Sequence, residues 1–252
     1  MLDFETGYEG KFDFPGNCGS PSTFYLFATV PRTGSSWFSH LLWATGCLGA
    51  PLEYLNFDAA GPYGFAHGVP ELQAQTWRSV LRRRTSPNGV FGFKAFPLQL
   101  EVLQAENPGL MQAVMSAVMA RPRIVYLERR DRVAHAISLA RAAMSGVWRQ
   151  EQETGDNIRP DFSPEMLAEA ERRIDAERTA WEEMFRDLRI EPLRLWYEDI
   201  VANPPAAMTR VARFLDVKID RAAAIEVPAV RKQSEAGALE WAKKYAEVKG
   251  AG

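Results

Sequence analysis

Short apolar runs alternate along this chain with longer stretches whose apolar positions return every three or four residues. FYLFATV, residues 24–30, is a nearly continuous apolar run of strand length. That is the pattern of a parallel strand covered on both faces. Trp37, Phe38, Leu41, Leu42 and Thr45 then share one helical face, and Gly46 predicts its C-terminal cap. Residues 47–69 read as a loop-rich insert and residues 70–84 as a helix. The turn Pro87–Asn88–Gly89 leads into a second strand at 90–93, and RIVYLE, 123–128, is a third. Val133, Ile137, Ala140, Met144, Val147 and Trp148 follow at helical spacing. Ser163–Pro164–Glu165 predicts a helix start: a capping hydroxyl, proline at the first position, an acid in the first turn. Leu167, Ala170, Ile174, Trp181, Met184, Phe185 and Leu188 continue that helix. PLRLWY, 192–197, is a fourth strand, Asn203–Pro204 opens a helix ending near Leu215, and a last helix covers 236–247. Strands alternating with helices predict an α/β sandwich around a mainly parallel sheet. Residues 1–22 lack periodicity and read as an irregular arm, partly ordered at most, ahead of a single domain over 23–252.

Composition narrows the class. A chain of 252 residues with 46% apolar and 25% charged residues can bury a full core as one soluble domain. A net charge of -2 speaks against a nucleic-acid partner. Arginine is nevertheless concentrated at 82–84, read as a solvated helix end, and in RPRIVYLERRDR, 121–132. Two cysteines, Cys18 and Cys47, make neither a disulfide framework nor a zinc spacing, so both are expected as free thiols. The first residues show no basic region followed by an apolar run, and no run reaches the ~20 apolar residues of a membrane span. The expectation is a cytoplasmic protein without an integral membrane segment. His40, His67 and His135 have no metal spacing, so no metal is expected.

The chemistry is concentrated where the first strand meets the first helix. Thr33, Gly34, Ser35 and Ser36 put backbone N–H groups and three hydroxyls at a helix N-terminus, where the first N–H groups lack partners and the macrodipole is positive. Arg32 adds a permanent planar cation. The loop is built for a phosphate-like or sulfate-like group. It is not a Walker A loop, since no G-x-x-x-x-G-K-[ST] string occurs.

PRTGSSW, residues 31–37, resembles the phosphosulfate-binding loop of sulfotransferases, usually PKSGTTW. Four further strings carry the resemblance. In LERRDRVAHAISLARA, 127–142, an arginine at a strand end precedes a serine by eight or nine residues. In sulfotransferases such a pair holds the 3′-phosphate of 3′-phosphoadenosine-5′-phosphosulfate (PAPS). Arg130 and Arg129 have the two spacings to Ser138, and spacing leaves both open. GAPLEYLN, 49–56, is similar to the G-x-P-x-E-[YF]-[FL] string of the bacterial trehalose 2-sulfotransferase family, whose glutamate is the proposed base and maps onto Glu53. LWYEDIVANPPAAMTRVARFLDV, 195–217, matches a Y-E-D-[LI] string whose role is read as scaffold. VRKQSEAGALEWAKKY, 230–245, offers Arg231, Lys232 and Gln233 in a loop that closes over the nucleotide. Together they run in the family's order over 24–247, although His135 stands where the family often has Gln and the arm has no counterpart.

The resemblance implies a P-loop-like three-layer sandwich with a mainly parallel central sheet, the sulfotransferase fold. It implies a sulfotransferase with PAPS as co-substrate and a small-molecule or glycan hydroxyl, on a carbohydrate or glycolipid, as acceptor. Glu53 and Arg32 would be catalytic. Arg32, Thr33, Gly34, Ser35, Ser36, Trp37, Arg129, Arg130, Ser138, Arg231, Lys232 and Gln233 would bind the nucleotide. Tyr54, Lys94 and Trp148 would meet the acceptor, with Phe57 and Tyr63 as further rings for sugar faces, in a pocket lined by 54–86 and 147–162. A homodimer is implied as well. The alternatives are a P-loop-type nucleotide kinase, which would need magnesium and ATP, and a non-catalytic nucleotide- or sulfate-binding module.

Overall fold

The computed structural model describes residues 5–15, 20–148, 160–230 and 236–250. Four strands, β1 (Thr23–Thr29), β2 (Val90–Ala95), β3 (Ile124–Glu128) and β4 (Leu193–Trp196), form one parallel sheet in the order β2-β1-β3-β4. Alternate residues of β1 feed opposite sides. Leu26 and Ala28 join Phe91, Phe93, Trp77 and Trp181 on one face. Tyr25 and Phe27 join Phe38, Leu42, Leu195 and Val211 on the other. A strand covered twice has no polar face to show, and so its sequence reads as a continuous apolar run. The outcome is the expected three-layer α/β sandwich.

The chain leaves β1 toward β2 on one side, and β3 lies on the other. A parallel sheet opens a crevice at the carboxyl ends of two such strands. Two helices flank that crevice, α1 (Ser35–Ala44) after β1 and α5 (Arg132–Ser145) after β3. Of the predicted helices, α2 (Pro70–Arg84), α6 (Pro164–Asp187), α8 (Pro204–Leu215) and α9 (Ala236–Gly250) are present. Ser163 caps α6 by accepting the Met166 N–H, and Asn203 caps α8 by accepting that of Ala206.

Several boundaries differ from expectation for local reasons. The second strand runs on through Lys94 to Ala95, because the segment around Leu52 bridges to Phe93 and gives it a further neighbour. Helix α5 stops at Ser145, where Gly146 turns left-handed at φ 68°, so Val147 and Trp148 lie outside it. Residues 97–120, to which the pattern assigns no element, fold as α3 (Pro97–Glu106) and α4 (Pro108–Ala120), each opened by proline. Leu98 and Val102 face solvent on α3, which blurs its apolar stripe. A short helix, α7 (Tyr197–Ala202), follows β4 directly.

One member of the arginine triplet also differs. Arg84, expected as part of a solvated helix end, is 2% exposed. Its guanidinium donates to the carbonyls of Phe12 and Glu9 and pairs with Asp13 at 3.0 Å. Residues 5–15 are thereby packed on the domain, with the Phe12 ring edge-on to Trp43 and Phe14 in the core. Cys47 is a buried free thiol, and Cys18 lies outside the described residues.

Candidate active site

The loop between β1 and α1 adopts a conformation few residues tolerate. Arg32 has φ 69° and Gly34 φ 79°. For an L-residue the left-handed region costs roughly 1–2 kcal/mol. Glycine removes that cost at one of the two positions, and a Cβ at Gly34 would stand 2.6 Å from the Tyr197 ring. The loop is held from below by neutral hydrogen bonds. Thr33 Oγ1 donates to the Val30 carbonyl and lies 2.6 Å from Thr29 Oγ1. The Trp181 indole N–H donates to the Thr29 carbonyl at 2.8 Å. His135 Nε2 lies 2.7 Å from the Pro31 carbonyl oxygen. Burial holds the imidazole neutral, its pKa pushed down to about 4. The neutral tautomer with its proton on Nε2 donates to that carbonyl.

These contacts correct one expectation. Thr33 is fully buried, and its hydroxyl closes the loop inward instead of facing a ligand. Ser36 does face the crevice, accepting a hydrogen bond from Lys94 Nζ at 3.0 Å. Ser35 is buried, and Trp37 packs partly buried against the β1 core.

Lys94 connects this loop to Glu53. Its ammonium, 2% exposed, also lies 3.0 Å from Glu53 Oε1. Gln99 Nε2 and Asn56 Nδ2 donate to the other carboxylate oxygen at 3.1 and 3.3 Å. Burial alone would raise the pKa of Glu53. The Lys94 charge and the hydrogen bonds from Lys94, Gln99 and Asn56 outweigh it and hold the carboxyl below the ordinary range. Glu53 keeps 20% of its side chain exposed, so the ionised group remains reachable. Its position is set through the backbone, because the Lys94 N–H donates to the Leu52 carbonyl and registers this segment against β2.

Across the crevice, the end of β3 distinguishes the two arginines. Arg130 forms a bidentate pair with Asp199 at 2.6 and 2.8 Å, and its guanidinium lies over the Trp196 ring. Arg129 instead lies over the Tyr197 ring at 4.9 Å, and its buried Nε has no hydrogen-bond partner among the described residues. Glu198 accepts the backbone N–H groups of Arg130 and Asp131 at 3.1 Å. The Y-E-D string therefore touches the site directly, which its reading as plain scaffold missed. Tyr197 is wedged between Gly34 and Arg129, Glu198 fills the turn after β3, and Asp199 occupies Arg130.

Arg32 turns toward α5. Its Nε donates to Ser138 Oγ at 3.2 Å and a terminal nitrogen donates to the Trp148 carbonyl at 2.6 Å. The fold thus brings together two residues expected at opposite ends of the nucleotide. Trp148 is 42% exposed at this edge. Tyr54 is not available as an acceptor platform: it is fully buried, stacked on Phe91, edge-on to Tyr8, with its hydroxyl on the Ala50 carbonyl. Phe57 and Tyr63 belong to the same buried cluster, because the insert folds its aromatic faces onto β2. Arg231, Lys232 and Gln233 lie outside the described residues. Among the described residues no group of three or more His, Cys, Asp or Glu side chains is placed to hold a metal, and no helix is long and apolar enough to cross a membrane.

Comparison with known proteins gives concordant matches. A family model described as Stf0 sulphotransferase matches residues 24–248. A trehalose 2-sulfotransferase of Mycobacterium tuberculosis is 26% identical, with 88% of this chain and 93% of that protein covered. One from Mycolicibacterium smegmatis is 24% identical, with 88% and 94% covered. Among solved structures, the sulfotransferase domain from the curacin biosynthetic pathway is 14% identical, covers 91% of this chain and 99% of its own, and superposes with a TM-score of 0.48.

Proposed function

Because the chain belongs to the Stf0 sulphotransferase family and is a sulfotransferase, we propose that it moves a sulfuryl group from PAPS to a hydroxyl of a carbohydrate or glycolipid, with Glu53 as general base. The observation that carries this reading is the Lys94 bridge. One buried ammonium contacts both the carboxylate of Glu53 and the hydroxyl of Ser36 at the anion loop. An acceptor hydroxyl beside Glu53 is therefore next to the loop that would present the sulfuryl group.

The residues fit the donor. Arg129 has a buried Nε unpartnered among the described residues, the kind of donor that a 3′-phosphate would satisfy, and Ser138 is on α5, the helix that follows it. Arg130 is already matched by Asp199, so Arg129 is assigned to that phosphate, with Arg32 beside Ser138 as a second cation. The N–H groups at the start of α1 and the Ser36 hydroxyl would hold the 5′ end. Sulfuryl transfer, like phosphoryl transfer, depends on in-line positioning and charge stabilisation more than on covalent chemistry. Lys94, between Glu53 and Ser36, supplies electrostatic stabilisation at the transferring group. Glu53 accepts the acceptor's proton at Oε1, whose partner among the described residues is Lys94, since Oε2 already takes hydrogen bonds from Gln99 and Asn56. Its lowered pKa keeps it ionised from neutral pH down to below the ordinary carboxylate value, so the acid limb of turnover falls there.

Trehalose, the sugar in the names of both relatives, is the first acceptor to try, within a panel of sugars assayed with labelled PAPS. In that assay Glu53→Gln should lower turnover by ~10²–10⁴-fold, the usual worth of a general base. Affinity for adenosine 3′,5′-bisphosphate should not change. Turnover at the wild-type rate in this variant would refute the base.

A further inference from the structure

The family match begins at residue 24, yet a residue of the arm touches the backbone of Glu53. The Tyr8 hydroxyl accepts the Glu53 N–H at 3.0 Å. The Leu52 carbonyl, in the same peptide group as that N–H, is tied to β2 through Lys94. The peptide group leading into the candidate base is thus held at both ends, its carbonyl by the sheet and its N–H by the arm.

The arm is built to hold that tyrosine still. Gly7, at φ 90°, lies so close to α1 and the insert that a Cβ would stand 3.2 Å from Trp43, 3.4 Å from His40 and 3.6 Å from Leu52. The Glu9 carboxylate folds back to accept the N–H groups of Thr6 and Gly7 at 2.8 Å each, which fixes the turn on either side of the tyrosine. Arg84 then clasps the following residues through the Glu9 and Phe12 carbonyls and Asp13, and the Phe14 N–H donates to the Arg83 carbonyl. The Tyr8 ring meets Tyr54 and Tyr63 edge-on at 6.3 and 5.6 Å, so its plane is set by two buried neighbours.

We infer that the N-terminal arm is a working part of this sulfotransferase, in which Tyr8 is a positioning residue that holds the Glu53 backbone so that its carboxylate stays between Lys94, Gln99 and the acceptor hydroxyl. The inference rests on the reading of Glu53 as base. A misplacement of about 1 Å at a reacting group can cost on the order of 10²-fold in rate. Loss of one anchoring hydrogen bond out of two should cost less, roughly 5- to 50-fold.

The test is Tyr8→Phe in the full chain, which keeps the ring contacts and removes only the acceptor oxygen. Three readouts are taken: amide exchange at Glu53, turnover of labelled PAPS with trehalose, and affinity for adenosine 3′,5′-bisphosphate. Exchange at the Glu53 amide should accelerate at least tenfold, a readout that needs no acceptor. Turnover should fall at unchanged KM for PAPS and unchanged bisphosphate affinity. Wild-type exchange at Glu53 would overturn the inference. So would accelerated exchange with wild-type turnover while Glu53→Gln is inactive, because the base would then work without its anchor. Wild-type turnover in Glu53→Gln would instead remove the base itself. That failure is separate, since the amide readout still reports whether Tyr8 holds the segment.

Discussion

Three side chains just after β3, Arg129, Arg130 and His135, turn local chemistry into measurable differences. Arg129 and Arg130 are adjacent and chemically identical, yet among the described residues one has a buried unpartnered Nε and the other a bidentate carboxylate. Arg129→Ala should weaken binding of adenosine 3′,5′-bisphosphate by roughly 1.5–3 kcal/mol, the worth of a hydrogen bond to a charged group. Arg130→Ala should bind like wild type in the same calorimetric titration. The reverse result would exchange their roles. His135 makes a pH prediction. Its folded pKa of about 4 lies below the ordinary 6.5, so the unfolded chain takes up a proton first as pH falls. Stability therefore drops between those two values, by an amount on the order of 3 kcal/mol, and no further below them on account of this residue. His135→Gln keeps an N–H for the Pro31 carbonyl and cannot titrate. Its denaturation midpoint should vary less from pH 6.5 to 4 than that of the wild type.

Between elements, the contact of α7 with the start of α1 decides how the loop is shaped. Gly34 carries the left-handed turn before α1, and the Tyr197 ring occupies the space a side chain would need. Gly34→Ala meets both obstacles. The backbone term alone should cost about 1–2 kcal/mol in denaturant unfolding, with the clash adding to it. Bisphosphate affinity should fall as well, because relief of the clash moves Tyr197 off Arg129. Unchanged stability and affinity would mean that the loop does not depend on this packing. Most elements were legible in the sequence, since β1, α6 and α8 announce themselves by apolar runs and by side-chain caps. The pair α3 and α4 was not. Leu98 and Val102 are exposed on α3, so no single apolar face stands out in the pattern.

For the whole molecule, a ligand bound only by the folded state raises stability by mass action, about 2.7 kcal/mol at a hundredfold excess over Kd. Adenosine 3′,5′-bisphosphate should therefore raise the melting temperature well above the value in AMP, which lacks the 3′-phosphate that Arg129 would hold. Equal shifts would remove that assignment. The sequence by itself determined what depends on neighbours along the chain. Burial of strands on both faces, the turn between β1 and α1, and the helix caps all follow from a few consecutive residues. So does the presence of an anion loop, a candidate base and a candidate arginine–serine pair. Only the tertiary structure decided which groups are spoken for. Asp199 takes Arg130, Lys94 joins Glu53 to Ser36, and Arg32 reaches Ser138. Arg84 clasps the arm instead of facing water, and Tyr54 disappears into the core. The physical reason is range. Backbone conformation and facing are set within a turn or two of helix, whereas each ion pair and each buried ring depends on a partner far away in sequence. That partner is adjacent only once the sheet has brought the strand ends together.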